Sequence, residues 1–505
     1  MSYDVAIVGG GPVGLFLACE LRLHGVRTVV LERRTEIDQT IKAGGVTGRG
    51  ADILARRNVV DLLGDLPDAG LMRPRPVGDG SVPGAARSKA PVVGHFAGLW
   101  ILRGGAHSGG ARSGGAPLLV PQQVLESALE KHATEVGAVV RRGHALTRLD
   151  QDDHGVVLTV EGPEGPYELR AGWLVGCDGG RSAIRKMTGI AFPGLDGVTT
   201  GYQALAEFDD PDFFPFGWHR TAHGMMARGP LRERVLTVEF DGPPVDRSAP
   251  VSREELQASV RRQSGTEVTI TTVHTATRFT DNTRQADTYR IGRVLLAGDA
   301  AHVHPPFGGQ GLALGLGDAV NLGWKLAAEV AGWAPDGLLD TYLTERHPAA
   351  ARVLHTTRAQ VALMAPGPRV DALRDVFAAL AETDEANRLL TDLMSDRDLR
   401  YEVDVEHRLA GRYCPDLPLT VHGTATSVAA LSPSGRPLLL DLDDHTGVRD
   451  AVRPWADRIE VVRARSDDAP AAAMLVRPDG YVAWAGEDVG GLREACARWF
   501  GAPRE

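Results

Sequence analysis

The chain has 505 residues, of which 43% are hydrophobic, 24% charged and only 6% aromatic, and its formal net charge is −10. This length predicts two or three domains rather than one core, and the ordinary composition excludes a disordered or fibrous protein. The acidic balance, with no block of lysines and arginines, argues against a nucleic-acid partner, because nothing would neutralise the phosphates.

The sequence carries no sign of export, membrane insertion or disulfide pairing. A strand-like run begins at Val5 and leaves no room for a secretion signal, and no apolar stretch reaches the roughly 18 residues that a membrane-crossing helix needs. We therefore expect a cytoplasmic protein without a membrane partner. Cys19, Cys177, Cys414 and Cys496 are isolated in the sequence, and we predict that they are reduced structural thiols.

The N-terminal segment predicts a βαβ unit, with a strand over 3–8, a glycine turn, a helix from 12 to about 24 and a strand over 28–32. The turn carries a GxGxxG pattern, in which backbone amides and the helix N-terminus favour a pyrophosphate, and Glu32 supplies a carboxylate for a ribose hydroxyl. The pattern predicts a dinucleotide site without separating FAD from NAD. The residues assigned to it are Gly9, Gly11, Pro12, Val13, Gly14, Glu32 and Arg33.

Further along the chain, strand-rich and helical stretches alternate. The run 104–115 is predicted to be a flexible surface loop, 141–175 a meander of strands, and 181–290 a second strand-rich region. Helical patterns follow over 315–333 and 336–393, and an independent α/β pattern begins near 409. The second strand-rich region is rich in aromatic and sulfur-containing side chains, so we place the substrate there. The assigned pocket residues are Phe96, Trp218, Met226, Phe240 and Pro306.

Two later motifs identify the cofactor by resemblance. The runs 177–182 (CDGGRS) and 298–302 (GDAAH) each follow a predicted strand. Both closely resemble fingerprints of the flavoprotein aromatic hydroxylases, in which the first lies where FAD and NAD(P)H pass and the second binds FAD through its aspartate. The resemblance implies that FAD is the cofactor and that NADPH or NADH approaches along two arginines. The residues assigned to FAD are Asp178, Gly179, Gly298 and Asp299, and those assigned to the nicotinamide route are Arg181 and Arg185.

The run 305–311 (PPFGGQG), followed by 318–326, resembles the loop and helix that close over the isoalloxazine ring in this family. A glycine-rich backbone entering a helix directs N–H dipoles at the place where a reduced flavin carries negative charge. Ala313 departs from the family, which usually has asparagine there, and Lys42 replaces a more usual arginine. The backbone residues assigned to the flavin ring are Pro306, Gly308, Gly309, Gln310 and Gly311, and the further FAD contacts are Leu312, Ala313, Lys42, Arg49 and Gln122.

Across nearly the whole chain, the sequence is most similar to the bacterial polyketide-tailoring branch, whose members act on tetracyclic or tetraphenoid aromatic compounds. The resemblance implies a mixed α/β (α+β) fold, in which a Rossmann-like FAD-binding domain interleaves with a β-sheet substrate domain and a thioredoxin-like α/β domain follows. The predicted boundaries are 1–75, 104–180 and 288–345 for the FAD-binding domain, 76–103, 181–287 and 346–395 for the substrate domain with its helical extension, and 400–505 for the C-terminal domain. The last has no CxxC pair, so we assign it no redox role and expect it to support the structure or a homodimer.

The reaction implied by the resemblance is a monooxygenation. NAD(P)H reduces FAD, O₂ gives a flavin C4a-hydroperoxide, and one oxygen atom enters a polycyclic aromatic small molecule, by hydroxylation in antibiotic biosynthesis. The sequence leaves open Baeyer–Villiger or ring-opening oxidation of a ketone or quinone, oxidative inactivation of an antibiotic, and non-catalytic binding of flavin or ligand. His302 and His304 lack a third ligand at metal spacing, so no metal site is predicted. No side chain is nominated as a general base.

Overall fold

The computed structural model describes residues 2–46, 48–64, 92–103, 118–229, 233–247 and 249–503, and the surface loop predicted over 104–115 lies outside them. No helix in this part of the chain combines the length and the apolar character that a membrane span requires. The helices are α1 (Pro12–Leu23), α2 (Gly48–Arg56), α3 (Val59–Leu62), α4 (Gln122–Glu135), α5 (Ala183–Met187), α6 (Arg253–Ser264), α7 (Gln310–Ala331), α8 (Thr341–Met364), α9 (Pro368–Ala381), α10 (Asp384–Ser395), α11 (Thr446–Val452) and α12 (Val489–Phe500).

The strands form several separate sheets. The strands of the first half of the chain are β1 (Tyr3–Val8), β2 (Thr28–Glu32), β3 (Val92–Phe96), β4 (Leu99–Arg103), β5 (Val139–Arg142), β6 (Ala145–Asp152), β7 (Gly155–Gly162), β8 (Gly165–Gly176), β9 (Gly194–Leu195), β10 (Thr200–Phe208), β11 (Gly217–Thr221), β12 (Gly224–Arg228) and β13 (Arg234–Glu239). Those of the second half are β14 (Ile270–Phe279), β15 (Thr283–Gln285), β16 (Arg290–Ile291), β17 (Val294–Leu296), β18 (His302–Val303), β19 (Pro418–Val421), β20 (Thr424–Ser427), β21 (Leu438–Asp441), β22 (Glu460–Arg463), β23 (Ala473–Val476) and β24 (Val482–Ala485).

β1 lies inside the largest sheet, whose strand order is β16–β17–β8–β1–β2–β5. Residues 5–8 pair in parallel with 28–31 of β2 on one side and with 173–176 of β8 on the other. β5 is parallel to β2 and β17 is parallel to β8, whereas β16 is antiparallel to β17 and the strands β6 and β7 form an antiparallel extension of β8. The carboxyl ends of β1, β2, β8 and β17 therefore meet along one edge, where ligands of such sheets bind. The predicted βαβ unit and the strand meander are both present.

A second, antiparallel sheet has the order β11–β12–β13–β10–β14. One face packs against α6 through a cluster that includes Met226, Leu256 and Val260. The opposite face packs against the β3–β4 hairpin and the helices α8 to α10 through a cluster that includes Phe96 and Met225. This second face looks toward the chain segment that precedes α7, because Phe307 of that segment belongs to the same cluster.

The C-terminal region is an independent α/β unit. Its sheet has the order β22–β21–β23–β24, with β21 parallel to β22 and antiparallel to β23, and α11 and α12 contribute to an apolar core that packs on it. The mixed α/β fold predicted from the sequence is confirmed. The thioredoxin-like assignment of this last unit and the domain boundaries stay predictions.

A cluster of buried charges joins this C-terminal unit to the rest of the chain. Glu345 of α8 accepts hydrogen bonds from Arg477 of the C-terminal unit (2.6 Å, Nη1 to Oε1) and from Lys325 of α7 (2.6 Å, Nζ to Oε2). Arg477 also pairs with Asp479, and Asn321 of α7 donates to Glu345 and Asp479. All five side chains are buried. Buried charges persist only when they are paired, so this cluster holds α7, α8 and the C-terminal unit in one arrangement.

Candidate active site

The glycine turn between β1 and α1 packs tightly against the backbone of the protein at Gly9 and Gly14. Gly9 has a φ of 115°, and a Cβ atom there would lie less than 3.0 Å from the carbonyl oxygen of Cys177. A Cβ on Gly14 would approach the Gly9 carbonyl oxygen within the same limit. A Cβ on Gly11, by contrast, would meet no heavy atom of the described chain within 4 Å. The turn is therefore open at Gly11, beside Pro12 and Val13 of the first helical turn, where a pyrophosphate would bind.

Glu32 lies beside this turn at the end of β2. Its Oε2 accepts a hydrogen bond from the backbone N–H of Gly10 (2.7 Å), and its Oε1 accepts one from the backbone N–H of Arg34 (2.9 Å). Each carboxylate oxygen has a second acceptor site, so a ribose hydroxyl can still donate to Glu32. Arg33 is exposed next to it.

Asp178 and Asp299 follow the strands β8 and β17 at the same edge of the sheet. Oδ2 of Asp178 accepts from the backbone N–H groups of Ala183 (2.6 Å) and Ile184 (3.3 Å) and so caps α5. Gly179 has a φ of 80° and open space around it. Asp299 is exposed in the turn that begins at Gly298, whose φ is 63°. Both carboxylates thus lie at the edge where the cofactor is predicted.

The segment 305–309 leads into the N-terminus of α7. Pro306 is exposed, whereas Gly308 and Gly309 have φ angles of 82° and 66°, which favour glycine. Gln310 is buried, and its Nε2 donates to the Leu393 carbonyl oxygen (2.9 Å). α7 is 22 residues long, and its N-terminus, which is the positive end of the helix dipole, lies at this loop. Negative charge is therefore stabilised there.

The first turn of α7 also explains the departure from the family at position 313. Gly311 and Leu312 are half-buried, and Ala313 is buried. A Cβ on Gly50 would lie 2.7 Å from the Ala313 Cβ, so α2 packs directly on this turn. A larger side chain at position 313 would have to displace α2, and the small residue permits this contact.

Three buried polar atoms of these motifs have no partner among the described residues. They are Oδ1 of Asp178, Nε2 of His304 and Oε1 of Gln310. Nδ1 of His304 is 2.8 Å from the Pro305 carbonyl oxygen, so this nitrogen donates and Nε2 of the neutral ring accepts. Buried polar groups are normally hydrogen bonded, so unpartnered ones in a site indicate a polar ligand. The hydroxyl groups and ring N–H of FAD are the donors that these atoms lack, and the residues present fit this cofactor.

The other predicted FAD contacts, Lys42, Arg49 and Gln122, already have partners within the protein. Nζ of Lys42 is 2.9 Å from Oδ2 of Asp38, and its side chain is 44% exposed. The guanidinium of Arg49 lies 3.9 Å from the ring centre of Tyr413 in the C-terminal unit and pairs with Asp52 (3.0 Å). Gln122 begins α4, and its backbone N–H donates to the Ala43 carbonyl oxygen. These bonds leave Lys42 the most accessible cation of the group.

The two arginines of the predicted nicotinamide route have different surroundings. Arg181 is exposed. Arg185 is buried, stacks on the Phe192 ring at 3.6 Å, and donates to the carbonyl oxygens of Ala300 (2.7 Å) and Gly180 (2.9 Å). The guanidinium of Arg185 thus ties the two aspartate motifs together inside the protein, and only Arg181 is open to an incoming dinucleotide.

The side chains of Phe96, Trp218, Phe240 and Phe279 form an aromatic wall that faces Phe307 in the segment before α7. The Trp218 and Phe307 rings meet edge to face with centres 6.0 Å apart, and Phe279 contacts Phe307 at 6.3 Å. Phe96 is buried in the same cluster, with Phe240 half-buried beside it. Three of the five residues predicted for the pocket, Phe96, Trp218 and Phe240, therefore lie on this face, and Pro306 directly precedes Phe307 in the facing segment.

The fifth residue predicted for the pocket, Met226, does not lie on this face. Met226 is fully buried on the opposite face of the sheet, in the cluster under α6, and its neighbour Met225 lies on the aromatic wall. Successive side chains of a strand point to opposite faces, so both methionines cannot face the site. The alternation along β12 is the signal that could have separated them.

Two family models match the chain. The model described as FAD binding domain covers residues 2–357, and the one described as aromatic-ring hydroxylase, C-terminal covers residues 407–503. The chain belongs to the FAD-dependent aromatic-ring hydroxylases. It is accordingly an FAD-dependent monooxygenase that uses a reduced nicotinamide cofactor and O₂.

Individual members of this hydroxylase family match over nearly their whole length. The 12-dehydrotetracycline 5-monooxygenase/anhydrotetracycline 6-monooxygenase of Streptomyces rimosus subsp. rimosus is 42% identical, and the match covers 100% of both chains. The rifampicin monooxygenase of Streptomyces venezuelae is 42% identical, with 99% of each chain covered. Among solved structures, the OxyS anhydrotetracycline hydroxylase of Streptomyces rimosus superimposes with a TM-score of 0.89 at 41% identity and covers 100% of both chains.

Asp318, the first residue of the run 318–326, has a role in the hydroxylase fold that the sequence motifs did not assign to it. Asp318 of α7 is fully buried, and its Oδ2 accepts from the backbone N–H of Gly298 (3.0 Å) and pairs with Nε2 of His302 (2.7 Å). Its Oδ1 accepts from Nε of Arg346 (2.8 Å). Burial alone would raise the pKa of Asp318, but His302 and Arg346 outweigh burial and lower it. This carboxylate therefore fixes the turn that presents Asp299. The sequence signal for this role is an acidic residue, Asp318, within a largely apolar helix.

Proposed function

We propose that this monooxygenase hydroxylates an electron-rich ring of a polycyclic aromatic polyketide. The observation that carries the proposal is the meeting of the aromatic wall with the glycine loop before α7, where Trp218 contacts Phe307. A flat, aromatic substrate matches such a wall, since ring contacts add to the burial of apolar area. The two monooxygenases of Streptomyces described above, which are named for tetracycline-type and rifampicin substrates, support this substrate class.

We also propose the residues that hold the cofactors. For FAD they are Gly9, Gly11, Pro12, Val13, Gly14, Glu32, Arg33, Lys42, Arg49, Gln122, Asp178, Gly179, Gly298, Asp299, Gly311, Leu312 and Ala313. Of these, Arg49 carries the least support, because its guanidinium is already engaged by Asp52 and Tyr413. Arg181 is proposed for the nicotinamide route.

The residues of the chain perform three tasks in this mechanism. When bound, FAD would supply the chemistry of hydride transfer from NAD(P)H and of O₂ activation. The backbone N–H groups at Gln310 and Gly311, together with the dipole of α7, stabilise negative charge beside the loop, whereas the Gly309 N–H donates to the Pro306 carbonyl oxygen. The wall around Trp218 and Phe307 orients the aromatic ring and keeps water away from the reacting atoms.

The test is an anaerobic titration of the FAD-loaded protein with NADPH, with and without anhydrotetracycline, followed by turnover in ¹⁸O₂. Faster bleaching of the flavin with the aromatic compound, and a product that gains one ¹⁸O atom with its rings intact, are expected. A lactone or a ring-opened acid as the product would show that the reaction is a Baeyer–Villiger oxidation and not a hydroxylation. Binding of the compound without faster reduction and without product would overturn the enzymatic proposal for this substrate class.

A cytoplasmic location and a homodimer are proposed as well. The first accords with the four cysteines, which are all unpaired. The second follows from the family resemblance, and light scattering of the FAD-loaded protein tests it by giving either the mass of two chains or that of one.

A further inference from the structure

One polar side chain lies within the aromatic wall, at the hairpin of β3 and β4. His95 is the residue before Phe96, and the hairpin turns at Ala97 and Gly98, whose φ angles are 52° and 75°. Nδ1 of His95 accepts a hydrogen bond from the backbone N–H of Gly98 (3.2 Å). A Cβ on Gly98 would lie less than 3.0 Å from Cε of Met225, so the turn is pressed against the wall. The hairpin thus fixes the imidazole ring relative to the wall.

This hydrogen bond determines the tautomer of His95. A backbone N–H can only donate, so Nδ1 carries a lone pair and the proton of the neutral ring is on Nε2. Burial lowers the pKa of His95 to about 4, so the ring is neutral near pH 7. Within the described part of the chain, no acceptor receives the Nε2 proton. His95 therefore offers a single N–H donor.

The surroundings of this donor are otherwise apolar. The Trp100 ring centre is 5.4 Å from that of His95, and the Trp218 ring centre is 5.0 Å away. Nε1 of Trp100 is used by the Trp218 carbonyl oxygen (3.3 Å), so this indole N–H is engaged. Trp218 in turn contacts Phe307 of the loop before α7. His95 is half-buried, so its Nε2–H is open to an acceptor on a bound ligand.

We propose that His95 orients the substrate by donating a hydrogen bond from Nε2–H to a keto or phenolic oxygen of the polycyclic aromatic ring system. The inference rests on the proposed function and deepens it, because it selects among aromatic compounds those that carry such an oxygen at the wall. An apolar wall alone holds a flat ring in several in-plane orientations, whereas one fixed donor selects among them.

The test compares His95→Phe with His95→Gln in the FAD-loaded protein. Phenylalanine keeps an aromatic ring between the tryptophans without a donor, and glutamine returns an N–H near the position of Nε2. Anhydrotetracycline binding is followed by the flavin absorbance, and the share of NADPH consumption that ends as H₂O₂ is measured in air. His219→Phe is the matched control, because its Nε2 is already 2.9 Å from the Phe216 carbonyl oxygen.

We expect His95→Phe to weaken probe binding by about three- to tenfold, the usual net value of one hydrogen bond, and to raise the H₂O₂ share. His95→Gln should recover most of both losses. Both variants lose the hydrogen bond from the Gly98 N–H, so their melting temperatures should fall by the same small amount, and FAD affinity should stay at the wild-type value in both. Wild-type binding and coupling in His95→Phe, or equal losses in His95→Gln, would overturn the role of His95. Failure of the wild-type protein itself to bind the probe would instead refute the proposed function, and the inference would fall with it.

Discussion

Replacing Gly11 and Gly14 separately by alanine tests where the cofactor lies. A Cβ on Gly14 would overlap the backbone carbonyl oxygen of Gly9, which cannot rotate away, and overpacking of this kind costs about 1–3 kcal/mol. A Cβ on Gly11 would enter open space, and the φ of −79° at this residue suits alanine. The melting temperature of apo Gly14→Ala should therefore be roughly 1–3 °C lower than that of the wild type, whereas that of apo Gly11→Ala should equal the wild-type value.

FAD binding should separate the two variants further. If the pyrophosphate lies on the amides at Gly11, the added methyl group occupies its place, and we expect FAD affinity to fall by at least about tenfold without loss of apoprotein stability. Apoprotein stability is measured by thermal melting, and FAD affinity by quenching of flavin fluorescence. Wild-type FAD affinity in Gly11→Ala would refute the placement of the cofactor, and a wild-type melting temperature of apo Gly14→Ala would refute the packing argument.

The remaining predictions concern the aromatic wall, the cluster of buried charges and the stability of the protein at low pH. Met225→Ala and Met226→Ala should each destabilise the protein by about 2–5 kcal/mol. Only Met225→Ala should change the affinity for anhydrotetracycline, measured by a flavin-absorbance titration. Equal affinities in the two variants would contradict the assignment of the two methionines to opposite faces of the sheet. Glu345→Gln unbalances the buried charges and should cost about 3–5 kcal/mol in urea unfolding, whereas Glu382→Gln at a surface pair should cost less than about 1 kcal/mol; similar losses would argue against the buried cluster. Burial raises the pKa of Glu345 and Asp318, but their cationic partners outweigh burial and lower it. Their stabilisation is therefore present above the ordinary pKa, which is 4.5 for glutamate and 3.8 for aspartate, and it is lost as the pH falls toward the folded-state values. The gap in melting temperature between wild type and Glu345→Gln should therefore shrink on acidification below the ordinary pKa of glutamate.

Sequence patterns predicted the nucleotide-binding unit closely because its signals are local. The first helix was predicted over 12–24 and spans Pro12–Leu23, and the second strand was predicted over 28–32 and spans Thr28–Glu32. Alternating or periodic apolar residues and a glycine turn are sufficient there. The family and the cofactor were also recognisable, since three short motifs occur in the expected order.

The start of α7 was not predictable from local preference. The helix was expected from residue 315, but it begins at Gln310, and the turn that was missed contains Gly311, with Gly315 and Gly323 further along the helix. Glycine disfavours a helix by about 1 kcal/mol relative to alanine, which hides this turn from a local pattern. Tertiary packing decides instead, because a Cβ on Gly315 would lie 2.6 Å from Val13 and one on Gly323 equally close to Glu20. The glycines permit α1 and α7 to approach closely beneath the site.

The C-terminal unit affects the site through structure rather than through thiol chemistry. Its two cysteines, Cys414 and Cys496, are buried in different apolar clusters and so cannot pair. Burial raises the pKa of Cys414 to about 11 and that of Cys496 to about 12, and a thiol with such a pKa is protonated and unreactive near pH 7. A redox role is therefore unsupported by either geometry or protonation.

What the C-terminal unit does supply is a fixed partner for the buried charges behind the cofactor motifs. The hydroxyl of Tyr401 accepts from Nη1 of Arg346 (3.0 Å), Arg346 pairs with Asp318, and Asp318 holds the backbone N–H of Gly298 next to Asp299. Each member of this chain of contacts is buried except the exposed Asp299 at its end. Without the C-terminal unit, Arg346 would lose a hydrogen bond and gain water, which weakens its hold on Asp318. The position of Asp299 at this edge of the sheet therefore depends on contacts with the C-terminal unit.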